Sequence, residues 1–138
     1  MKEKNKCLTY FAITGKDFEP NEITNRLGIE PDEAWKASDL RRDGKPYGFS
    51  FWQCGNCDKY CAYTYKQMEK TLSKLINKTK ILNAIREELG VEFKLEIVPK
   101  ITAGGINPCL APSLKVIDFC HTTRTKIDID MYVYSENE

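Results

Sequence analysis

Apolar and polar residues change their spacing several times along the chain, and each change indicates a different secondary-structure element. A run of mostly apolar and aromatic residues over 7–14 ends at a glycine and predicts a largely buried strand. Residues 20–27 open with a proline, repeat aliphatic side chains four residues apart and stop before Gly28, which predicts a short helix. A short extended piece centred on Trp35 follows.

The middle of the chain predicts a strand, two helices and a second strand. Aromatic residues alternate with smaller ones over 47–53, which favours a strand. The segment 65–76 changes to a helical period, and its apolar residues share one face: Met68, Leu72, Leu75 and Ile76. A second helix over 81–89 ends at Gly90. Strict alternation over 91–97 then predicts a strand with one buried and one wet face.

The last third predicts a loop, a helix and a closing strand. Glycines and prolines over 99–111 indicate a loop. Pro112 opens a short helix whose predicted inward residues are Leu114, Ile117 and Cys120. Residues 126–134 alternate again and predict one strand. We therefore expect an α+β fold: an antiparallel-rich, mixed sheet with three to four short-to-medium helices packed mainly on one face, an order compatible with two ferredoxin-like halves that join near residue 60.

Composition and charge narrow the class of protein. The 138 residues predict a single domain over 1–138, and 21 basic against 20 acidic residues give no excess that points to nucleic acid or a membrane surface. No apolar run approaches the roughly 20 residues of a membrane span, and the first residues lack a secretory signal. We expect a cytoplasmic protein, a monomer or homodimer, whose six cysteines are free thiols, metal ligands or catalysts rather than bridges.

Several segments together resemble a known family. They are Tyr10–Gly15, Asp17–Thr24, Leu27–Pro31, Trp35, Asp39, Trp52 and Ile127–Tyr132. This set resembles the bacterial domain of unknown function 4279 family and covers nearly the whole chain. The resemblance implies a small bacterial α+β domain without an established activity, in the role of an immunity-type or other partner-binding protein. The segment Cys54–Cys57 departs from the family's landmarks.

That segment carries the strongest local signal for chemistry. Cys54 and Cys57 have the spacing of two zinc ligands, and Cys61 could give a third. Candidates for a fourth ligand are Cys109, Cys120 and the sole histidine, His121. Alternatively, Cys54 and Cys57 form a dithiol redox centre, which requires that a helix begin directly at the motif. The third interpretation is that these thiols are inert, with no cofactor expected.

A basic stripe suggests a partner-binding surface instead. Lys66, Lys70 and Lys74 recur every four residues, opposite the apolar face of the predicted helix 65–76, and Lys78 continues the spacing. Such a ridge is suited to an acidic protein partner, although a solvated helix face is the default explanation, because amphipathic helices place their charges there in any case. Asp128 and Asp130 likewise share one strand face, where paired carboxylates bind a cation or simply face water.

No complete catalytic motif accompanies these features. Phosphate loops, nucleophile elbows and the His-Glu-x-x-His signature are missing from the sequence, which argues against an enzyme without settling the question. The sequence therefore favours a non-enzymatic binding or interaction domain. The alternative is a thiol-based site, either structural zinc or dithiol redox, at Cys54, Cys57 and Cys61.

Overall fold

The computed structural model describes residues 5–60, 63–105 and 107–135. Within these residues the chain forms one sheet of six strands together with four helices. In chain order the elements are β1 (Lys6–Gly15), α1 (Pro20–Leu27), β2 (Glu33–Trp35), β3 (Ser50–Tyr60), α2 (Tyr65–Leu72), α3 (Thr79–Leu89), β4 (Glu92–Thr102), α4 (Leu114–Thr123), β5 (Lys126–Ile129) and β6 (Tyr132–Tyr134). None of the helices in this described part is long and apolar enough to cross a membrane.

The strand order places the most apolar strand at the centre of the sheet. The order is β2-β3-β1-β4-β5, and β6 also pairs with β4. Each neighbouring pair from β2 to β4 is antiparallel, whereas β5 and β6 run parallel to β4. The first four strands thus follow the βαββαβ order of a ferredoxin-like sheet, to which α4 and the last two strands add one parallel unit. The expected α+β class with a mixed sheet is confirmed.

One side of the sheet, which we call the helix side, carries the main core. Its largest fully buried side chains come from strands and helices alike: Trp52, Phe11, Phe93, Ile13, Ile23, Leu27, Met68, Leu72, Leu75, Leu82, Ile85 and Leu95. Phe11 joins the layers, because its ring lies 5.5 Å from Phe93 in β4 and 6.2 Å from Phe119 in α4. The alternate strand residues form the opposite side, the open side, where Tyr10 and Glu96 are only partly buried.

The strand β4 is longer than the sequence predicts, and the loop expected from residue 99 was wrong for its first residues. Strand pairing continues through Pro99 to Thr102. The Asp130 N–H of the parallel neighbour donates to the Ile97 carbonyl of β4 at 2.9 Å. Two residues further along β4, Pro99 has no N–H to donate back. The predicted strand 126–134 is therefore interrupted opposite Pro99, and it becomes two strands, β5 and β6.

Two helix predictions also need correction. The helix expected over 65–76 ends at Leu72, and turns follow it. The Ser73 hydroxyl donates to the Lys70 carbonyl at 2.8 Å and so competes with the helical backbone. In α4 the predicted inward residues were partly wrong. Leu114 is 83% exposed and Ile117 is 44% exposed, whereas the helix buries a different set: Val116, Phe119, Cys120 and Thr123.

Candidate functional site

A β-bulge lies in the segment Cys54–Cys57 of β3. The pairing with β1 shifts there, so that the two residues between these cysteines lie opposite the single residue Tyr10. Gly55 has a φ of 74°, in the left-handed region that favours glycine. In a regular strand, residues three apart point to opposite sides. The extra residue of the bulge instead places Cys54 and Cys57 opposite Phe11 and Thr9, two buried residues of the helix side.

Buried polar contacts dock α2 onto this bulge. The Thr71 hydroxyl donates to the Gly55 carbonyl at 2.7 Å and lies 2.7 Å from the Thr9 hydroxyl. The Gln67 side-chain amide donates to the Cys57 carbonyl at 2.7 Å and to a carbonyl of β1. Because buried carbonyls are costly to leave unpaired, these bonds fix the position of the helix on the bulge.

A cavity of about 250 Å³ opens beside the bulge, between β3, the end of α2 and the segment after α1. Three groups of residues line it: Cys54, Gly55, Asn56 and Cys57; Lys70, Thr71, Ser73 and Lys74; and Ile29, Glu30 and Asp32. Both sequence hypotheses therefore converge on one place, since the cysteine motif forms one wall and two of the three candidate lysines form another.

The bulge pocket surrounds Cys54 with an environment that keeps its thiol protonated. Burial raises the pKa of Cys54 to about 12, the charge of Asp32 adds to this, and Lys74 opposes it. At neutral pH the thiolate is scarce, and the thiolate is the form that attacks a disulfide or binds zinc. The redox hypothesis also required a helix at the motif, but residues 54–57 lie inside β3 and α2 begins only at Tyr65.

The other candidate metal ligands do not gather here in the described part of the chain. Within residues 5–60, 63–105 and 107–135, no three His, Cys, Asp or Glu side chains form a group that could hold a metal ion. Cys61 lies outside the described residues. His121 is exposed near the end of α4, Cys109 is exposed beside Thr64, and Cys120 is buried, which raises its pKa to about 11.

The three candidate lysines do not share one surface. Lys66 and Lys70 lie on α2, whereas Lys74 lies in the turns that follow it, and only Lys70 and Lys74 line the pocket. Within the described residues neither of these two ammonium groups forms a salt bridge within 4.0 Å. The opposite rim carries Glu30 and Asp32, and the Asp32 carboxylate accepts the Asn56 N–H at 3.0 Å.

The acidic rim was not predicted from the sequence. Glu30 and Asp32 flank a proline in a turn after α1, and they reach the bulge only because β2 pairs with β3. Nothing in their local sequence indicates a site. The glycine between the two cysteines was the available signal, since glycine inside a strand often marks a bulge.

A second group of carboxylates lies on the open side of the sheet. Glu96 of β4 is opposite Tyr10 on one side and Asp128 on the other. Partial burial, the hydrogen bond with Asp128 and the Asp128 charge raise the pKa of Glu96 to about 7. The folded protein thus holds a proton on Glu96 at a pH where an ordinary glutamate has lost it.

This shift has a consequence for stability that can be measured. Between pH 4.5, the ordinary pKa of Glu96, and about pH 7 the folded state binds more protons than the unfolded state, so stability falls as pH rises through this window. Solvent screens this partly exposed group, and we expect a shallow slope. Urea unfolding midpoints from pH 4.5 to 7 should fall less in Glu96→Gln than in the natural protein. The control Glu92→Gln removes a carboxylate whose pKa is lowered by its hydrogen bond with Lys126, so above about pH 5.5 that carboxylate is ionised in both states and the variant should keep the natural slope from there to pH 7. An unchanged slope in Glu96→Gln would contradict the assignment.

The fold and the site together define a class: a small α+β protein with a ferredoxin-like sheet, one added parallel unit and a charged pocket at a β-bulge. The chain belongs to the family described as Domain of unknown function (DUF4279), whose profile matches residues 5–134. No curated protein and no solved structure gives a significant match to the chain.

Proposed function

We propose that this protein is a non-enzymatic binding domain that captures an acidic side chain of a partner protein in the bulge pocket. One observation carries the proposal: Lys70 and Lys74 line the same cavity without an ion-pair partner among the described residues. Two ammonium groups beside one cavity attract a carboxylate, and complementary charge both steers encounter and excludes wrong partners.

The size of the pocket supports a side chain rather than a cofactor. Ligand pockets for small molecules typically measure roughly 300–1,000 Å³. At about 250 Å³ the bulge pocket lies below that range, and it is partly open to solvent. A cavity of this size accommodates one or two side chains of an approaching loop.

The opposite rim supports a peptide as the source of the carboxylate. Glu30 and Asp32 present acceptors to the cavity, and Asp32 already takes one backbone N–H, from Asn56. A peptide segment offers backbone N–H donors next to its acidic side chain, so it can satisfy both rims at once. Sulfate or chloride offers no donors, and the acidic rim would repel it.

The thiol-based alternative stays open and is tested separately. Cys54, Cys57, Cys109 and Cys120 are free thiols, and we place the protein in the reducing cytoplasm, where thiols stay reduced. Native mass spectrometry before and after alkylation distinguishes the alternatives. Bound zinc that protects three or four of the six thiols would replace our proposal with a metal site.

The proposal is tested with two blocked peptides that differ only in charge. In ¹H–¹⁵N NMR, acetyl-Gly-Glu-Gly-amide should shift the amide signals of 54–57 and 70–74 in a saturable manner. Acetyl-Gly-Gln-Gly-amide should bind at least about fivefold more weakly, the size expected from two exposed charge pairs. Equal shifts from both peptides, or shifts elsewhere on the protein, would refute capture in the pocket.

Variants of the lysines provide the matched control. Lys70→Gln with Lys74→Gln should remove the preference for the glutamate peptide. Lys66→Gln removes the same charge from the same helix, but Lys66 does not line the pocket, so this variant should bind as the natural protein does. A loss of binding in Lys66→Gln as well would indicate a general charge effect and not a site.

A further inference from the structure

The last strands of the chain form an edge of the sheet that carries its apolar side chains in water. We call residues 126–134 the edge segment. Both of its strands pair only with β4, and in the described part of the chain no strand covers their outer edge. Because the Asp130 N–H points to Ile97 of β4, the alternate residues Ile127 and Ile129 direct their backbone groups outward. Unpaired outward groups are a template for another strand.

The helix side of the edge segment is apolar and uncovered. Ile127 is 38% exposed, Ile129 47%, Met131 47% and Val133 65%. Ile127 and Ile129 lie beside Leu95 and Ile97, which are fully buried, so the core ends abruptly at this edge. A row of four apolar side chains along one free edge of the sheet is the kind of surface that a partner covers.

The open side of the same segment is acidic. Asp128 and Asp130 alternate with the isoleucines, and Glu96 lies next to Asp128. Within residues 5–60, 63–105 and 107–135 these three carboxylates form no salt bridge, since the nearby Lys126 pairs with Glu92. Their mutual repulsion is one cause of the raised pKa of Glu96. Cationic side chains placed along this side would relieve the repulsion.

These features together specify the occupant. We propose that the edge segment binds an extended strand of a partner protein in which basic residues alternate with apolar ones. Backbone pairing at the edge would supply the geometry, the apolar residues of the partner would cover Ile127 to Val133, and its lysines or arginines would face Asp128 and Asp130. This surface is separate from the bulge pocket and does not depend on the function proposed for it.

A second copy of this chain compensates the acidic side of the edge less well than a basic strand does. In a twofold antiparallel pairing centred on residue 128, 129 or 130, an aspartate of one copy lies opposite an aspartate of the other. Like charges directly opposite each other destabilise a strand pair. The edge segment has only one cation, Lys126, to compensate. A pairing centred on residue 131 avoids opposed aspartates, but it sets tyrosines against Asp128 and Asp130 and supplies no cation for them. A basic strand supplies those cations, and charge therefore favours it over a second copy.

Synthetic peptides test the proposal directly. Acetyl-(Lys-Val)₄-amide has the required alternation, acetyl-(Lys-Lys-Val-Val)₂-amide has the same composition without it, and acetyl-(Glu-Val)₄-amide reverses the charge. In NMR titrations only the first should shift the amides of 126–134 and protect those of residues 127 and 129 from exchange. Equal binding of the first two peptides would mean that charge is recognised without the alternation. Binding of the third peptide would mean that the acidic side chains do not select the partner. Either result overturns the proposal.

Variants of the protein separate charge from strand pairing. The double variant Asp128→Asn with Asp130→Asn should bind the alternating peptide about five- to tenfold more weakly, as the loss of two to three exposed charge pairs predicts. Ile129→Pro blocks pairing at an outward N–H without removing a bond to β4, and should abolish the exchange protection. If that variant does not fold, a peptide N-methylated at alternate residues makes the same test on the natural protein. Self-association through 126–134 without peptide would also overturn the proposal.

Discussion

Gly55→Ala is expected to destabilise the protein by about 2–5 kcal/mol. A left-handed φ costs a residue with a Cβ about 1–2 kcal/mol, and overpacking typically costs about 1–3 kcal/mol more. Gly55 has a φ of 74°, and a Cβ on it would lie 2.2 Å from the Thr71 carbonyl oxygen. Since the Cβ is fixed on its Cα and the oxygen belongs to the backbone of α2, no side-chain rotation relieves the clash, and α2 must move off the bulge. Urea unfolding followed by circular dichroism measures the loss.

Gly44→Ala is the matched control for this substitution. Gly44 has a φ of 82°, and a Cβ on it meets nothing within 4 Å. This variant keeps the conformational cost without the clash, so it should lose only about 1–2 kcal/mol. Equal losses in the two variants would mean that α2 does not press on the bulge. The same comparison reports on the pocket, since displacement of α2 in Gly55→Ala should also abolish its response to the glutamate peptide.

Trp52→Ala is expected to lose about 3–5 kcal/mol of stability, the usual cost of removing a fully buried aromatic side chain. Trp52 is 0% exposed, and its indole N–H donates to the Thr24 hydroxyl at 3.0 Å, which ties β3 to α1. The substitution leaves a cavity that the surrounding aliphatic side chains fill only in part. Denaturant unfolding should therefore show a lower midpoint for Trp52→Ala than for the natural protein.

The second tryptophan provides an internal comparison. Trp35 lies at the end of β2, half-buried, with its ring stacked 4.1 Å from Tyr47 and 4.4 Å from Phe51. Trp35→Ala deletes the same atoms from an accessible place, and we expect a loss of about 1–2 kcal/mol from two ring contacts. Equal losses of stability in Trp52→Ala and Trp35→Ala would contradict a core centred on the helix side of the sheet.

Several elements could be predicted from local sequence because their ends are local. α1 spans 20–27 as predicted, since a proline at the first turn and Gly28, with a φ of 67°, fix its two ends without help from the rest of the chain. α3 ends before Gly90 for the same reason. The strict alternation over 91–97 likewise predicted the core of β4 and the side that it buries.

The candidate site was predictable only in its separate parts. The cysteine spacing and the lysine spacing were visible, but neither indicates the other, because 54–57 and 70–74 are brought together by the packing of a helix on a strand. Two cysteines separated by two residues are typical of a metal or redox motif. Only the bulge, which depends on the register with β1, turns both thiols to the buried side and raises the pKa of Cys54.

The α+β class and the helix ends that glycine and proline fix were predictable from the sequence, because periodicity and end signals lie within short segments. Which strands are neighbours, and so which side chains meet, depends on the tertiary structure. Pro99 interrupts the strand 126–134 from the neighbouring strand β4, and α4 buries Phe119 while Leu114 stays in water. Strand pairing and helix packing join residues that are distant in the chain, and the pattern of one segment does not indicate which other segment it will contact.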